Sequence, residues 1–328
     1  MVDLSRRGWL VATAATGLLA MVPAQAATGG GPPEKLDIWP GGIGPGSARV
    51  TAEQKITDRS TDPAKPDRYM TGTTRPYLTI HRPARPNGAA VLITPGGGYQ
   101  RVVVDKEGLE LAGPLLAAGF TVFILYYRLP GEGHEQAADV PLQDAQRALR
   151  LIRHRAADWQ LAPERIAMMG FSAGGHLAAS LGTRLNAKVY EPMDAADRLS
   201  ARPDALALIY PVIDMVGPST HAGSRTNLLG DAAGEEKRAA YSPDRAVSPA
   251  TPPTFLLHAA DDKGVPVENS LLFHTALRQA GIPAELHVYA KGGHGFGHGD
   301  RIPADNPLTH WPDVLIHWLR PTLGLKAA

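Results

Sequence analysis

The stretch Arg165-Ile166-Ala167-Met168-Met169-Gly170-Phe171-Ser172-Ala173-Gly174-Gly175-His176-Leu177-Ala178-Ala179 decides how this chain is read. An apolar run ends on glycine, turns about a serine, and resumes as small and apolar residues that suit a helix. The pattern predicts a strand over 165–169, a sharp turn over 170–175 and a helix from 176 onward. Glycines two residues either side of Ser172 admit a tight, strained backbone that lifts a hydroxyl to the sheet edge. The helix that follows favours negative charge at its start. Ser172 is therefore the candidate nucleophile.

Outward from this turn, short apolar runs at 77–80, 89–94, 121–127, 205–210, 254–258 and 285–289 are further strand candidates. Helical spacing separates them. In 141–160, Leu142, Ala145, Leu149, Ile152, Ala156 and Trp159 recur at intervals of three and four, and Pro141 suits a first helical position. Segments 265–280 and 308–323 read as helices too. Such alternation predicts an α/β fold, a mostly parallel sheet with helices on both faces. Residues 27–75, rich in Gly, Pro and charge, read as an extended arm. A single domain over 76–328 follows, with an insertion at about 214–253 that could form a small lid.

Composition narrows the chemistry. The chain has 328 residues, 44% apolar, 20% charged and without cysteine. Its length and apolar content suit a large core, and the lack of cysteine excludes thiol nucleophiles, thiolate zinc sites and iron–sulfur clusters. With 33 Lys and Arg against 32 Asp and Glu, no basic excess suggests nucleic acid. Residues 1–26 read as an export signal: Arg6-Arg7 precedes the apolar stretch 9–23, and Ala24-Gln25-Ala26 offers small residues for cleavage. The arginine pair resembles the twin-arginine type, which implies a periplasmic or secreted protein of a bacterium. Its removal takes away Asp3, Arg6 and Arg7, leaving 31 basic and 31 acidic residues. No membrane insertion is expected after that, since no second apolar run is long enough. Oligomeric state is not legible.

A serine needs a base, and the base an orienting group. His294, in Gly292-Gly293-His294-Gly295-Phe296-Gly297 directly after the last strand candidate, is the candidate base. His298 is its rival. The two do not suggest a metal pair, because no carboxylate or third histidine joins them at helical spacing. His176 would ride on the helix after Ser172 and reads as packed or hydrogen-bonded. For the orienting acid, Asp262 is chosen, three residues before Val265-Pro266; Asp261 and Asp214 are alternatives, and Asp214 is also a pocket candidate. Pro95-Gly96-Gly97-Gly98-Tyr99 follows a strand candidate and can aim backbone N–H groups at one spot. The amides of Gly97 or Gly98 with that of Ala173 would stabilise an oxyanion. No Gly-Lys-Ser/Thr follows, so a phosphate loop is excluded. Tyr99 would border the pocket or pack. No metal and no cofactor is expected.

Together these segments resemble the α/β-hydrolase superfamily, and within it the bacterial esterases with Pro-Gly-Gly-Gly-Tyr in place of the His-Gly-Gly-Gly of hormone-sensitive-lipase-like enzymes. The resemblance rests on Ile38-Trp39-Pro40-Gly41, 95–99, Tyr127-Arg128-Leu129-Pro130, 170–175, Tyr210-Pro211, Tyr241-Ser242-Pro243, 252–258, Asp262, Val265-Pro266 and 292–295. It implies an α/β-hydrolase fold, with Ser172, Asp262 and His294 in that chain order as nucleophile, acid and base. It also implies kinship with acetyl xylan and feruloyl esterases. At His258-Ala259 many relatives have His-Gly, a departure of little expected consequence. The reading is a serine esterase removing small acyl groups, acetyl foremost, from sugars or oligosaccharides. A prolyl-oligopeptidase-like peptidase is the alternative enzyme, although no propeller repeats are visible. A carbohydrate- or lipid-binding protein without activity is the alternative outside enzymes.

Overall fold

The structure, a computed structural model, describes residues 33–326; the expected leader at 1–26 lies outside them. Eleven strands are formed among the described residues: β1 Glu34–Asp37, β2 Lys55–Asp58, β3 Arg68–Thr71, β4 Tyr77–His81, β5 Ala90–Thr94, β6 Val102–Val103, β7 Thr121–Tyr126, β8 Ile166–Phe171, β9 Ala205–Ile209, β10 Thr254–Ala259 and β11 Ala284–Tyr289. Eight of them make one sheet in the order β1-β4-β7-β5-β8-β9-β10-β11. The pairings β1–β4 and β4–β7 are antiparallel, and from β7 to β11 all are parallel. All seven strands expected from the apolar runs are present, and the sheet is mostly parallel, as the alternation of elements implies.

The helices are α1 Glu110–Ala117, α2 Val140–His154, α3 Ser172–Thr183, α4 Ala222–Leu229, α5 Glu235–Ala240, α6 Glu268–Gln279 and α7 Trp311–Thr322. Side chains alternate across each central strand, so both faces of the sheet are apolar. On β5, Ala90 and Leu92 join a core with α2, α3 and α6, while Val91 and Ile93 join a second core with α1 and α7. Helix α2 ends earlier than its apolar spacing predicts: after His154 the chain tightens into a 3₁₀ turn, Ala156–Trp159, which still buries Trp159. The insertion expected over 214–253 holds α4, α5 and a 3₁₀ turn.

Residues 33–75 carry more regular structure than their composition announces. Strand β1 extends the large sheet, and β2 and β3 form a second antiparallel sheet with β6. Each of these strands is four residues or fewer, too short for periodicity to register. A buried ion pair fastens the segment. Arg128 and Asp144 are fully buried and bonded at 2.7 Å, and the same carboxylate accepts the indole N–H of Trp39 at 2.7 Å. Arg147 donates to the Ile38 carbonyl at 2.8 Å. A buried carboxylate is tolerable only when donors surround it, and Asp144 has three such partners in the Arg128 amide, guanidinium and Trp39.

Candidate active site

Strand β8 runs directly into α3, and Ser172 stands at the junction with φ of 51°. This left-handed conformation is rare for a residue with a Cβ and marks a strained turn. The positive φ falls on the serine, not on the glycines flanking it. Their role is close approach: a Cβ at Gly170 would sit 2.2 Å from the Gly174 carbonyl oxygen, and one at Gly174 would sit 2.1 Å from that of Thr94.

Ser172 is buried, and its Oγ lies 2.9 Å from His294 Nε2. On the far side of the ring, Nδ1 lies 2.7 Å from Asp262 Oδ2. The carboxylate can only accept, so Nδ1 carries the proton, and Nε2 of the neutral ring is left to accept from the serine hydroxyl. Burial pushes the Asp262 carboxyl up, but hydrogen bonds from His258, His294 and the Val265 amide outweigh it and hold the group well below the usual carboxylate range. Its other oxygen accepts the Gly264 and Val265 amides at 2.8 and 2.9 Å. Gly264 leaves room for the imidazole, since a Cβ there would come within 3.1 Å of the ring. The Asp262 side chain is fully buried, while that of His294 is 29% exposed.

The alternatives for the acid have other tasks. Asp261 accepts the amides of Gly292 and Gly293, both at 2.9 Å, and so shapes the loop that carries His294. Asp214 accepts the amides of Val216 and Gly217 and closes a turn, and it does not join Ser172, His294 and Asp262. His298 faces Asp300 at 2.9 Å. Among the described residues no group of three or more His, Asp or Glu is arranged to hold a metal ion.

The Pro95-Gly96-Gly97-Gly98-Tyr99 loop follows β5 beside the serine. Gly97 and Gly98 have φ of 128° and 66°, and Tyr99 follows at 59°. Several of the loop's other polar groups are committed. Tyr127 donates to the Pro95 carbonyl at 2.7 Å, Gly96 N–H donates to Glu107 at 2.8 Å, and Asn227 donates to the Gly98 carbonyl at 2.8 Å. The Gly97 carbonyl accepts the Gln100 and Arg101 amides. Among the described residues the Gly97 and Gly98 amides have no acceptor. Ala173 is the second residue of α3, where a backbone N–H has no partner within the helix.

Tyr99 is buried and packs rather than lining a cavity. Its hydroxyl donates to His176 Nδ1 at 2.7 Å, while His176 Nε2–H donates to the Tyr241 carbonyl at 2.8 Å. Burial lowers the pKa of His176 to about 4, so it is neutral and ties α3 to the insertion. Glu107 and His221, near the site, give no motif in the sequence, and His258 closes the 252–258 segment with no role legible there. His258 is fully buried on β10, with Nε2 3.3 Å from Asp262 Oδ2 and 3.0 Å from the Val265 carbonyl. Glu107 lies in Val102-Val103-Val104-Asp105-Lys106-Glu107-Gly108-Leu109-Glu110-Leu111, where the neighbouring Asp105, Lys106 and Glu110 leave it nothing to stand out against. His221 caps α4 by accepting the Ser224 amide, and burial followed by the nearby His294 lowers its pKa.

The BD-FAE family profile matches residues 78–277. This chain belongs to the BD-FAE family. An acetylxylan esterase of Xylanibacter ruminicola is 35% identical over 221 residues, 66% of this chain and 43% of that protein. An endo-1,4-beta-xylanase B of Butyrivibrio fibrisolvens is 37% identical over 205 residues, 62% of this chain and 32% of that protein. The chain thus spans less than half the length of these two relatives. The crystal structure of an acetyl ester-xyloside bifunctional hydrolase from Caldicellulosiruptor lactoaceticus superposes with a TM-score of 0.71 at 32% identity, over 89% of this chain and 97% of that one. The BD-FAE chain has the α/β-hydrolase fold that its strand–turn–helix motif implies.

Proposed function

We propose that this BD-FAE chain is a serine esterase that removes acetyl groups from sugars or xylan-derived oligosaccharides through an acyl-enzyme intermediate. The observation that carries the reading is the continuous row Ser172 Oγ, His294 and Asp262, joined at 2.9 and 2.7 Å. Ser172 Oγ attacks the acyl carbonyl carbon as its proton passes to His294 Nε2, and Asp262 stabilises the imidazolium. The oxyanion is met by the amides of Ala173 and of Gly97 or Gly98. His294 then protonates the departing sugar oxygen, and water, losing its proton to His294, releases acetate from the serine.

Support for the acyl and alcohol classes comes from the acetylxylan esterase relative and the acetyl ester-xyloside hydrolase neighbour. No described helix is long and apolar enough to cross a membrane. Export by the twin-arginine route to the periplasm or beyond is proposed from Arg6-Arg7 and the apolar stretch after them.

The deciding experiment compares wild type with Ser172→Ala on p-nitrophenyl acetate and acetylated xylo-oligosaccharides. A loss of about 10³–10⁶-fold in kcat is expected. Undiminished turnover by pure Ser172→Ala protein would refute the role of this serine.

A further inference from the structure

Between β6 and α1 the chain makes one turn of π-helix, Asp105–Leu109, which carries Glu107 inward to 3% exposure. Such turns recur at functional sites because the extra residue re-aims a side chain. A carboxylate buried to this degree requires strong donors. Glu107 has two. Its Oε2 accepts the Gly96 N–H at 2.8 Å, and its Oε1 accepts the Tyr210 hydroxyl at 3.0 Å. The Tyr210 oxygen accepts the Gly297 N–H at 3.1 Å, so its single proton is committed to Glu107. Burial, and then the Glu107 charge, keep the phenol protonated by raising its pKa well above the usual value.

These bonds connect the glycine loop to the loop that carries His294. Gly96 begins the segment bearing the free Gly97 and Gly98 amides, and Gly297 closes the segment bearing His294. Tyr210 also packs edge-on against the His294 ring, with centroids 5.0 Å apart. The backbone of the π-turn presses on the same loop, because a Cβ at Gly297 would come within 2.3 Å of the Lys106 carbonyl oxygen.

We infer that Glu107 is a positioning residue, which sets the glycine loop and the histidine loop in register through Gly96 and Tyr210 without touching substrate. The inference rests on the esterase reading above. Glu107→Gln keeps the shape but cannot replace both contacts. If the amide oxygen faces Gly96, the Tyr210 proton loses its acceptor; if it faces Tyr210, two donors meet at Gly96.

The test measures hydrolysis of p-nitrophenyl acetate by wild type, Ser172→Ala, Glu107→Gln, Tyr210→Phe and the Glu107→Gln/Tyr210→Phe double variant. Rates of the proteins that keep Ser172 are taken per active site titrated with a fluorophosphonate, and that of Ser172→Ala per mole of folded protein. For Glu107→Gln, kcat per titrated site is expected to fall about 10–100-fold with KM changed less than about threefold, since a misplaced donor weakens the transition state more than the bound ester. The double variant is expected to fall well short of the product of the two single losses, as contacts in one network do. Wild-type kcat per titrated site in Glu107→Gln, or multiplicative losses in the double variant, overturns the inference while leaving the esterase reading intact. Should Glu107→Gln fail to fold, Tyr210→Phe cuts the same link from its other end, and an unchanged kcat there is equally decisive against it. A wild type without Ser172-dependent hydrolysis removes the esterase reading and this inference together.

Discussion

The Nε2 atom of His258 lies 3.3 Å from Asp262 Oδ2, the oxygen that also accepts the His294 Nδ1–H. Asp262 thus stands between two imidazoles, one fully buried and one facing the serine. His258 Nδ1 accepts from the Ser270 hydroxyl at 2.7 Å, leaving Nε2–H to be shared between the Val265 carbonyl and Asp262. The buried ring serves the carboxylate and not the hydroxyl.

Removing that ring is expected to act on stability before chemistry. His258→Ala leaves Ser270, the Val265 carbonyl and one side of Asp262 without a partner, and opens a cavity. A loss of about 2–4 kcal/mol in unfolding free energy at pH 7 is expected from such a change. Urea denaturation measures it, and a loss below about 0.5 kcal/mol would show that the ring is dispensable.

The two neighbouring acids are expected to separate cleanly. Asp262→Asn preserves shape but presents an amide to His294 and disfavours the tautomer that accepts from Ser172, so kcat/KM should fall about 10⁴-fold. Asp261→Asn keeps an oxygen for the Gly292 and Gly293 amides, and a loss of about tenfold or less is expected from a small shift of the histidine loop. The reverse ranking on p-nitrophenyl acetate would transfer the orienting role to Asp261.

Two adjacent glycines make a second contrast. A Cβ at Gly97 would sit 2.2 Å from the Arg101 carbonyl oxygen, whereas at Gly98 nothing lies within 4 Å. Gly97→Ala must therefore move the loop, and kcat is expected to drop about 10²–10³-fold, as when an oxyanion donor is lost. Gly98→Ala meets only the penalty of a left-handed residue, about 1–2 kcal/mol of stability, with far smaller kinetic effect. Equal kcat values for the two variants would count against the loop's amides as oxyanion donors.

Acid should weaken the fold through His176. Burial lowers its pKa from the ordinary 6.5 to about 4, so the folded protein resists a proton that the unfolded chain accepts. Its share of stability is full above the unfolded value and declines as pH falls from about 6.5 toward 4, by about 3 kcal/mol in total. His176→Gln can still accept from Tyr99 and donate to Tyr241 but does not titrate. Its unfolding free energy should therefore be flatter between pH 7.5 and 4.5 than that of wild type, and parallel curves would reject the assignment.

Much of this architecture is legible in the residues because strongly patterned elements announce themselves. The buried strands are nearly continuous apolar runs, and the turn at Ser172 is flanked by glycines that its close backbone contacts require. Strands β1, β2 and β3 escape because four residues, all but Met70 exposed or half-buried, carry too little pattern. Their strand character comes from partners that lie far along the chain, such as Leu78 opposite Leu36. Helix α2 was overextended because the 3₁₀ turn after it buries Trp159 with the same spacing.

At the site, residue types and their order point to Ser172, His294 and Asp262, with Asp261 and Asp214 as alternatives for the acid. Folding separates the adjacent pair: Asp262 turns its carboxylate to the His294 ring, and Asp261 turns its own to the backbone of Gly292 and Gly293. Tyr99 had two readings, and burial against His176 chose packing. The roles of Glu107 and His258 lie in which donors and acceptors the fold brings around them.

The amino-acid order by itself determined the alternating sheet and helices, the strained serine turn and the glycine loop, since these follow from local sterics and from apolar periodicity. Only the tertiary structure decided which carboxylate meets which imidazole and which buried acid spans two loops. Hydrogen bonds have reach of about 3 Å and a narrow angular range, so partners 32 residues apart, as Asp262 and His294 are, or 103, as Glu107 and Tyr210 are, are selected by the packing of the sheet and not by their spacing in the chain.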